Sequence, residues 1–381
     1  MSIFERVAGK RICICTGSGG VGKTTTAAAI AIGLAARGQR VAVVTIDPAR
    51  RLASALGLEQ LGNEPRPVER ELFARHGIAM RGELWAMMLD AKRTFDDLIA
   101  LLAPDVGVRD EILANRVYQE LSSAVAGSQE FTAVAKLYEL AVSGRFDTIV
   151  LDTPPSRNAL DFLDAPQRLT GFLEGRTLTA LSAPTGVAGA IAARGSGLIF
   201  SALRRVTGVD LLDDLANFFG ALGGVVDGFA ERARAVDQLL SDPGTTFLII
   251  ASPDPAPAQE AIFLHQRLAT AGLPFGGLVV NRVRVLASGR PAVDESALLA
   301  DLGGLDELAA KSMQALRDMR TLAQRDTTNL RRLASELGEN DPILVPQLDE
   351  EASDVAGLAI VERFLFAGSR ERPARLAAYA F

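Results

Sequence analysis

Closely spaced glycines, a lysine and threonines stand near the beginning of the chain, where residues 16–26 read T-G-S-G-G-V-G-K-T-T-T. Glycines allow the backbone to turn several N–H groups inward around an anion, while a lysine and a hydroxyl at this spacing can reach phosphate oxygens and a Mg²⁺ ion. An apolar, strand-like run precedes the segment and an alanine-rich helical run follows it, so a bound anion would face a helix N-terminus. The pattern predicts a phosphate-binding loop for a nucleoside triphosphate; the alternative is a glycine-rich turn that binds nothing.

The members of this loop have distinct expected roles. We expect Lys23 to reach the β- and γ-phosphates and to act in catalysis, and the hydroxyl of Thr24 to bind Mg²⁺. The loop residues expected to contact the nucleotide are Gly17, Ser18, Gly19, Gly20, Val21, Gly22, Lys23, Thr24 and Thr25.

A carboxylate follows the second strand-like run, Val41–Ile46, where Asp47 begins the sequence D-P-A-R-R-L. At the end of a strand beside a phosphate loop, a carboxylate can orient a water molecule, or a water bound to Mg²⁺, for attack on the γ-phosphate. Asp47 is therefore a candidate catalytic residue and metal ligand. Alternatively, it caps the helix that begins nearby.

A second carboxylate, that of Asp152, follows the apolar run Thr148–Leu151. An acid at this place in phosphate-loop enzymes binds Mg²⁺ through water or supports the loop hydroxyl, here that of Thr24. Because ligands of parallel α/β sheets lie at the carboxyl ends of the strands, we expect the loop, Asp47 and Asp152 to converge on one site.

Strand-like and helical patterns alternate along most of the chain, and several strand-like runs are apolar at nearly every position, as is typical of strands covered on both faces. This order predicts a doubly wound, mostly parallel α/β sheet of about seven or eight strands. Residues 1–381 are expected to form one domain, with a helical subdomain made of approximately 91–144 and 167–242 and a frayed tail at 370–381. The strand-like runs are Arg11–Cys15, Val41–Ile46, Leu84–Leu89, Thr148–Leu151, Thr246–Ala251, Gly277–Asn281 and Ile343–Val345.

The composition limits the class of protein. A net charge of −6 and a pI of about 5.3 give no electrostatic footprint for nucleic acid. The first residues carry no signal-peptide pattern, and the longest uncharged stretch, Thr177–Ala193, is too short and too weakly apolar for a membrane span. We therefore expect a cytoplasmic protein without a stable membrane span.

The phosphate loop and the two carboxylate segments resemble, in their order, motifs of the arsenite-pump and tail-anchored-protein targeting ATPases. The matching segments read G-G-V-G-K-T-T, D-P-A-R-R-L-A-S-A-L-G and D-T-P-P-S-R-N-A-L-D-F-L. The resemblance implies that ATP and Mg²⁺ are the ligands, that Asp47 positions the attacking water and that Asp152 is the acid on the Mg²⁺ side. It also implies that Asn281 contacts the adenine and that Val345–Leu348, which includes Pro346, closes over the base.

The chain departs from the family pattern at several positions. Ser18 stands where the family group has a lysine that crosses a dimer interface to the partner's phosphates, and the zinc-binding Cys-x-x-Cys pair is missing. Cys13 and Cys15 fall on the same side of a strand and are expected to be a buried pair, so neither a zinc nor an arsenite site is expected. The missing lysine favours a heterodimer, in which a homologous subunit supplies it, over a homodimer that uses Arg50 or Arg51.

These observations together predict a Mg²⁺-dependent ATP hydrolase, slow in isolation, that acts as an ATP-driven dimeric conformational switch. The helical region within 167–240 could hold a groove for a hydrophobic client protein or could be subdomain core. Two other functions are open: a nucleotide-binding scaffold subunit that hydrolyses little, and a partitioning-type ATPase that assembles on DNA or membrane. The acidic charge and the long helical insertions count against the last of these.

Overall fold

The computed structural model describes residues 1–47, 50–116, 118–119, 128–153, 225–285, 306–348 and 352–379. The chain divides into two compact units. The first comprises residues 1–88, 144–159 and 241–381, and the second comprises residues 89–143 and 160–240. The phosphate loop and every other residue predicted for the nucleotide site belong to the first unit.

A sheet forms the centre of the first unit. Over the described residues it has eight strands: β1 (Ile12–Thr16), β2 (Arg40–Thr45), β3 (Arg66–Pro67), β4 (Glu83–Met88), β5 (Thr148–Asp152), β6 (Thr245–Ala251), β7 (Phe275–Val283) and β8 (Ile343–Pro346). Their order across the sheet is β3-β4-β2-β5-β1-β6-β7-β8. All neighbouring strands are parallel except β3 and β4.

The predicted mostly parallel α/β sheet is confirmed, and all seven strand-like runs are strands whose ends differ from the prediction by a few residues at most. The central strands β1, β5 and β6 are buried at every residue, which explains their continuous apolar sequence. The sequence missed β3, because an Arg-Pro dipeptide has no apolar alternation. Pro67 lacks a backbone N–H, and it is accommodated in this short antiparallel strand at the edge of the sheet.

Helices precede, connect and follow these strands along the chain. The described helices are α1 (Ile3–Val7), α2 (Lys23–Ala36), α3 (Arg51–Ala55), α4 (Arg70–Ala74), α5 (Ala91–Leu102), α6 (Val106–Ala114), α7 (Ser128–Val142), α8 (Val226–Ser241), α9 (Pro255–Thr270), α10 (Asp306–Leu337), α11 (Val355–Leu365) and α12 (Arg372–Ala377). None of the helices in these ranges combines the length and the apolar character needed to cross a membrane.

Helix α2 is the most deeply enclosed helix around the phosphate loop. Its alanine-rich sequence is buried from Thr26 to Ala35, and it packs against β1, β2, β4 and β5 of the sheet and against α11. Small side chains allow this close contact on several sides at once. The first turn of α2, where the loop ends, is therefore held in a fixed place above the central strands.

The described part of the second unit is helical and has its own apolar cluster. Phe95 of α5 stacks on Tyr118 at 6.0 Å and on Phe229 of α8 at 5.5 Å between ring centroids. The Tyr118 hydroxyl donates to Asp96 Oδ1 at 2.5 Å, which satisfies its polar end. The expected subdomain stays a prediction for residues 167–224, which lie outside the described residues.

The expected fraying at 370–381 is wrong for residues 372–377. These residues form α12, in which Arg372 is 4% exposed and its Nη1 lies 2.8 Å from Asp341 Oδ1. The arginines of this segment suggested a solvated tail, but Asp341, distant in sequence, pairs with one of them. Leu376 on the same helix joins the core and completes the anchor. Residues 380–381 lie outside the described residues.

Candidate nucleotide-binding site

The glycine-rich loop connects the end of β1, in the middle of the sheet, with the first turn of α2. Gly17 and Gly22 are the positions where a side chain could not be accommodated. A Cβ on Gly17 would lie 2.0 Å from the carbonyl oxygen of Ile250, and one on Gly22, whose φ is +86°, would lie 2.8 Å from Asn281 Nδ2. The backbone therefore takes the close course that a phosphate cradle requires.

Lys23 is folded back over this loop. Its side chain is 6% exposed, and its Nζ donates to the carbonyl oxygens of Gly17 at 2.9 Å and Ser18 at 2.8 Å. Burial lowers the pKa of Lys23, while the nearby carboxylates of Asp152, Glu260 and Asp47 favour its charged form. An ammonium group has three N–H donors, and these two carbonyls use two of them. The lysine is thus positioned in the loop with a donor to offer to a phosphate oxygen.

The carboxylate of Asp152 joins the loop to the neighbouring strand β2. Its Oδ2 accepts a hydrogen bond from Thr24 Oγ1 at 2.7 Å and another from Thr45 Oγ1 at 2.9 Å. The residue is fully buried, and burial raises its pKa to about 6, although both hydroxyls favour the ionised form. The predicted convergence of Asp152 with Thr24 is therefore present in atomic detail.

The donor set around Asp152 fits Mg²⁺. Oδ1 of Asp152 is buried and has no hydrogen-bond partner among the described residues, while Oδ2 already holds the Thr24 hydroxyl. Carboxylate and hydroxyl oxygens, together with waters and phosphate oxygens, are the ligands this ion prefers. Thr24 would hold the ion directly and Asp152 through water, and the positive charge would return the pKa of Asp152 toward its ordinary value.

Asp47 lies directly after β2 and lines the same cavity as the loop. Its backbone N–H donates to Thr45 Oγ1 at 3.2 Å. The helix that follows has Arg50 at its N-cap, in the left-handed conformation, so Asp47 is not the capping residue of α3. Its half-buried carboxylate is thus placed beside the loop, which is what the water-orienting role requires. Pro48 and Ala49 lie outside the described residues.

Thr45 is a residue that the sequence interpretation missed. Its hydroxyl donates to Asp152 and accepts the N–H of Asp47, so one oxygen atom connects the two acidic segments. The signal lay in the register, because Thr45 stands directly opposite Asp152 in the parallel pair β2–β5. Reading that register from the sequence requires knowing that β2 and β5 are neighbours.

Asn281, near the end of β7, braces the loop from the other side. Its Nδ2 donates to the Val21 carbonyl at 2.8 Å and to Thr26 Oγ1 at 2.9 Å. The opposite amide orientation would place Oδ1 against the carbonyl oxygen of Val21, so the hydrogen bonds assign the orientation. Oδ1 is buried and finds no hydrogen-bond partner within the described ranges. The adenine contact implied for Asn281 stays a prediction, and this oxygen is the atom that would make it.

A cavity of about 720 Å³ opens over the loop. Predicted site residues in its wall are Gly20, Val21, Gly22, Lys23, Thr24, Thr25, Asp47, Asn281 and Pro346. Thr153 and Arg282, which were not predicted, also line it, as does Arg51, which was expected only as a cation that a homodimer could use. Gly17, Ser18 and Asp152 are buried close to Lys23 or Thr24, while Gly19 is exposed. The volume is in the range of sites that hold small ligands.

The two cysteines lie in β1 below the loop. Both are free and fully buried, as expected for a buried pair on one side of a strand. The side-chain hydrogen bond with Cys13 and burial raise the pKa of Cys15 well above its ordinary value. Cys15 therefore stays a neutral thiol inside the sheet.

Comparison with known proteins agrees with this arrangement. The sequence profile of the family described as anion-transporting ATPase matches residues 10–290, more than half of the chain. The chain belongs to this family. The resemblance drawn from the three motifs is confirmed, and ATP hydrolase is confirmed as the enzyme class of the family.

Individual relatives within the family are similar at modest identity. An arsenical pump-driving ATPase of Acidiphilium multivorum is 28% identical over 273 residues, which are 70% of this chain and 38% of the relative. An uncharacterised protein of Streptomyces coelicolor is 31% identical over 274 residues, 72% of this chain and 62% of the relative. The ATPase get3 of Neurospora crassa is 27% identical over 280 residues, 70% and 71% of the two chains. The chain spans less than half the length of the arsenical pump-driving ATPase.

We expect the stability of Asp152→Asn relative to wild type to increase with pH when Mg²⁺ and nucleotide are absent. The pKa of Asp152 is raised from 3.8 to about 6 on folding, so the folded state binds the proton more tightly than the unfolded chain. That contribution to stability is present at low pH and is lost as the pH rises through about 6. Between pH 4.5 and 7.5, the free energy of unfolding of the variant relative to wild type should rise by about 2 kcal/mol.

Urea unfolding at several pH values measures this difference. Asp147→Asn is the control, because hydrogen bonds from Arg40 lower the pKa of the exposed Asp147 carboxyl below its ordinary value. This carboxyl is ionised in both the folded and the unfolded state over the measured range, so the stability of the control relative to wild type should stay nearly constant there. A stability difference for Asp152→Asn that does not change with pH would contradict the assignment.

We expect Thr45→Val to raise the Mg²⁺ concentration needed for half-maximal ATP binding about tenfold, because it removes one donor to the ionised form of Asp152. Valine keeps the size and branching of the side chain. Thr148→Val is the matched control: it also removes a buried hydroxyl, but one at the opposite end of β5 that donates to the Lys10 carbonyl at 3.0 Å. Titration with Mg²⁺ at a fixed concentration of a fluorescent ATP analogue measures both. Equal shifts in the two variants would mean that Thr45 supports the fold only.

Proposed function

We propose that this chain is a Mg²⁺-dependent ATPase in which ATP acts as a conformational switch within a dimer. The carrying observation is the double hydrogen bond to Oδ2 of Asp152. One donor, Thr24, belongs to the phosphate loop, and the other, Thr45, also holds the backbone of Asp47. A change at the phosphate side of this carboxylate would therefore alter the position of the segment that carries the candidate catalytic acid.

The chemistry follows from the groups around the loop. Lys23 offers its ammonium to phosphate oxygens, and the buried surroundings strengthen that interaction. When bound, Mg²⁺ neutralises negative charge on the β- and γ-phosphates. The Asp47 carboxylate accepts a hydrogen bond from a water molecule, and this turns the oxygen lone pair of that water toward the γ-phosphorus.

The switch itself is proposed to run through β2. Loss of the γ-phosphate weakens the hold on the loop and on Thr24, and the Asp152 carboxylate can then shift between its two hydroxyl partners. Thr45 passes that shift to Asp47 and to the residues after it. Order and disorder of such segments is a common response to the γ-phosphate.

The charge of the site supports a dimer that completes it. Ser18 is 6% exposed and uncharged, and it stands where the family group has a lysine that reaches the partner's phosphates. We propose that a homologous subunit with that lysine donates it into this site. A homodimer is the competing assembly, and Arg51 favours it, because it lines the cavity of its own chain and could supply the charge.

The proposal also covers the client protein, the cellular location and two kinds of ligand that are left out. An apolar client would bind within residues 167–240, for which the sequence predicts helices. The cytoplasm is the proposed location, and family membership supports both parts of the proposal. The arsenical substrate in the names of the relatives is not proposed for this chain, because both of its cysteines are enclosed in β1. Nucleic acid is not proposed either, since the net charge of −6 repels phosphate backbones.

We expect Lys23→Ala and Asp47→Asn to affect different steps. Lys23→Ala removes a buried cation from the phosphates and should weaken ATP binding about 100-fold. Asp47→Asn leaves the phosphate cradle intact, so it should preserve ATP binding while lowering hydrolysis about 100-fold or more. Calorimetric ATP titration and phosphate release measure the two quantities. Parallel losses of binding and hydrolysis in Asp47→Asn would contradict its catalytic role.

We expect the isolated chain to hydrolyse ATP slowly and a mixed dimer with a lysine-bearing homologue to be faster. A cationic group supplied to the transition state is worth about 10³–10⁵ in rate. Co-expression with a homologue that reads G-K-G-G-V-G-K-T, followed by turnover measurements on each species, tests this. Arg51→Ala in the isolated chain is the companion variant. Fast turnover of this chain alone, lost in Arg51→Ala, would show that Arg51 supplies the charge and would overturn the lysine-donating homologue.

A further inference from the structure

Arg282 adopts a backbone conformation that is unusual for its residue type. Its φ is +59°, in the left-handed region, and Arg50 is the only other non-glycine residue with a positive φ in the described ranges. A glycine would take this conformation without steric conflict, whereas a side chain with a Cβ is strained there. Strain of this kind persists only where the surrounding structure imposes it, and it is concentrated at functional sites.

The residues on either side of Arg282 impose the conformation. The register between β7 and β8 shifts between Val280 and Val283. At the start of the shifted segment, the Asn281 amide is tied to the phosphate loop. At its end, the Val283 carbonyl accepts the N–H of Gln347 at 2.9 Å. Residues 281–283, called the bend below, are therefore fixed at both ends.

A third contact secures the chain after the bend. The backbone N–H and the guanidinium of Arg284 both donate to Oδ2 of Asp326, each at 3.1 Å. Asp326 lies on the long helix α10 and is fully buried. Arg284 is thus a structural residue with a buried carboxylate partner, and it differs in this respect from its neighbour Arg282.

The bend places the Arg282 side chain at the cavity over the loop. Asn281 and Val283 are buried, and Arg282 between them is exposed and lines that cavity. Within the described residues its guanidinium has neither an ion pair nor a hydrogen bond, so it is available to a ligand.

The position of Arg282 along the cavity distinguishes between parts of a nucleotide. The phosphate loop follows β1, which β6 separates from β7 in the sheet. Val283, the next residue, pairs with Pro346 of β8, and Val345, Pro346 and Leu348 form an apolar part of the cavity wall. Arg282 therefore lies beside the apolar end, where a base would be enclosed, and Lys23 and Thr24 line the phosphate end.

We propose that the Arg282 guanidinium stacks on the face of the nucleotide base and selects for purines. The guanidinium is planar and weakly hydrated, and it stacks favourably on aromatic rings. A purine offers it a larger face than a pyrimidine does. This inference rests on the proposed function, since it requires that the cavity binds ATP.

Three ligands separate the possible roles of Arg282: ATP, CTP and inorganic tripolyphosphate, which has neither base nor sugar. Their affinities are measured by calorimetry, with Mg²⁺, for wild type, Arg282→Gly and Arg282→Lys. Arg81→Gly is the matched control, because Arg81 is an exposed loop arginine just before β4, at the edge of the sheet away from the site. Thermal unfolding of every variant is recorded alongside.

We expect Arg282→Gly to weaken ATP binding about tenfold, CTP binding about threefold and tripolyphosphate binding not at all. Arg282→Lys should fall between wild type and glycine for ATP, because it keeps the charge but loses the plane. The unfolding temperature of Arg282→Gly should equal or exceed that of wild type, since glycine relieves the left-handed conformation.

Other results would overturn the inference in recognisable ways. Equal weakening of ATP and tripolyphosphate would make Arg282 a phosphate ligand. Weaker binding of all ligands together with a lower unfolding temperature would make it a structural residue. Unchanged affinities would leave it a solvated side chain. Absence of ATP binding in wild type would overturn the proposed function and this inference with it, whereas an effect-free Arg282→Gly in an ATP-binding protein overturns this inference alone.

Discussion

One buried carboxylate oxygen, Oδ2 of Asp152, organises the nucleotide site. It accepts hydrogen bonds from two threonines in different elements. Thr24 lies in the first turn of α2, and Thr45 is the last residue of β2. An ionised carboxylate in a buried place is unfavourable unless donors or a cation surround it. The two hydroxyls supply part of that compensation, and the unpaired second oxygen leaves a place for the rest. The fold and the proposed metal chemistry thus meet at one side chain.

The sheet order is what allows this meeting. β5, which carries Asp152, lies between β1 and β2, so its carboxyl end is adjacent to both the loop and the Asp47 segment. The loop is then fixed from two more directions, by the close contact of Gly17 with Ile250 on β6 and by Asn281 on β7. β6 is buried at every residue and β7 is buried from Gly277 to Asn281, which keeps these parts of the strands rigid. Rigid strand ends hold catalytic groups more accurately than loops do.

The buried strands and the phosphate loop could be predicted from the sequence, because the features that reveal them are local. An apolar run is visible wherever a strand is buried on both faces, and the loop residues Gly17–Thr24 carry their own chemistry within one short segment. The features that were missed depend on which strands are neighbours. Thr45 became important only through its register with Asp152, and the bend at Arg282 only through the shift between β7 and β8. The same reason explains α12, since the partner of Arg372 lies about thirty residues away, after α10.

The amide of Asn281 has a consequence for the recognition of a whole nucleotide. Because one nitrogen atom holds both the Val21 carbonyl and the Thr26 hydroxyl, β7 and the phosphate loop are tied together at a fixed separation. The two halves of a ligand then meet preorganised halves of a site at a fixed separation. A triphosphate or a nucleoside alone gains only one set of contacts. The joined molecule gains both sets and pays the loss of translational and rotational entropy only once. A site that binds the proposed nucleotide in this way would discriminate against free phosphates through connectivity, even though its loop would bind the same chemical group.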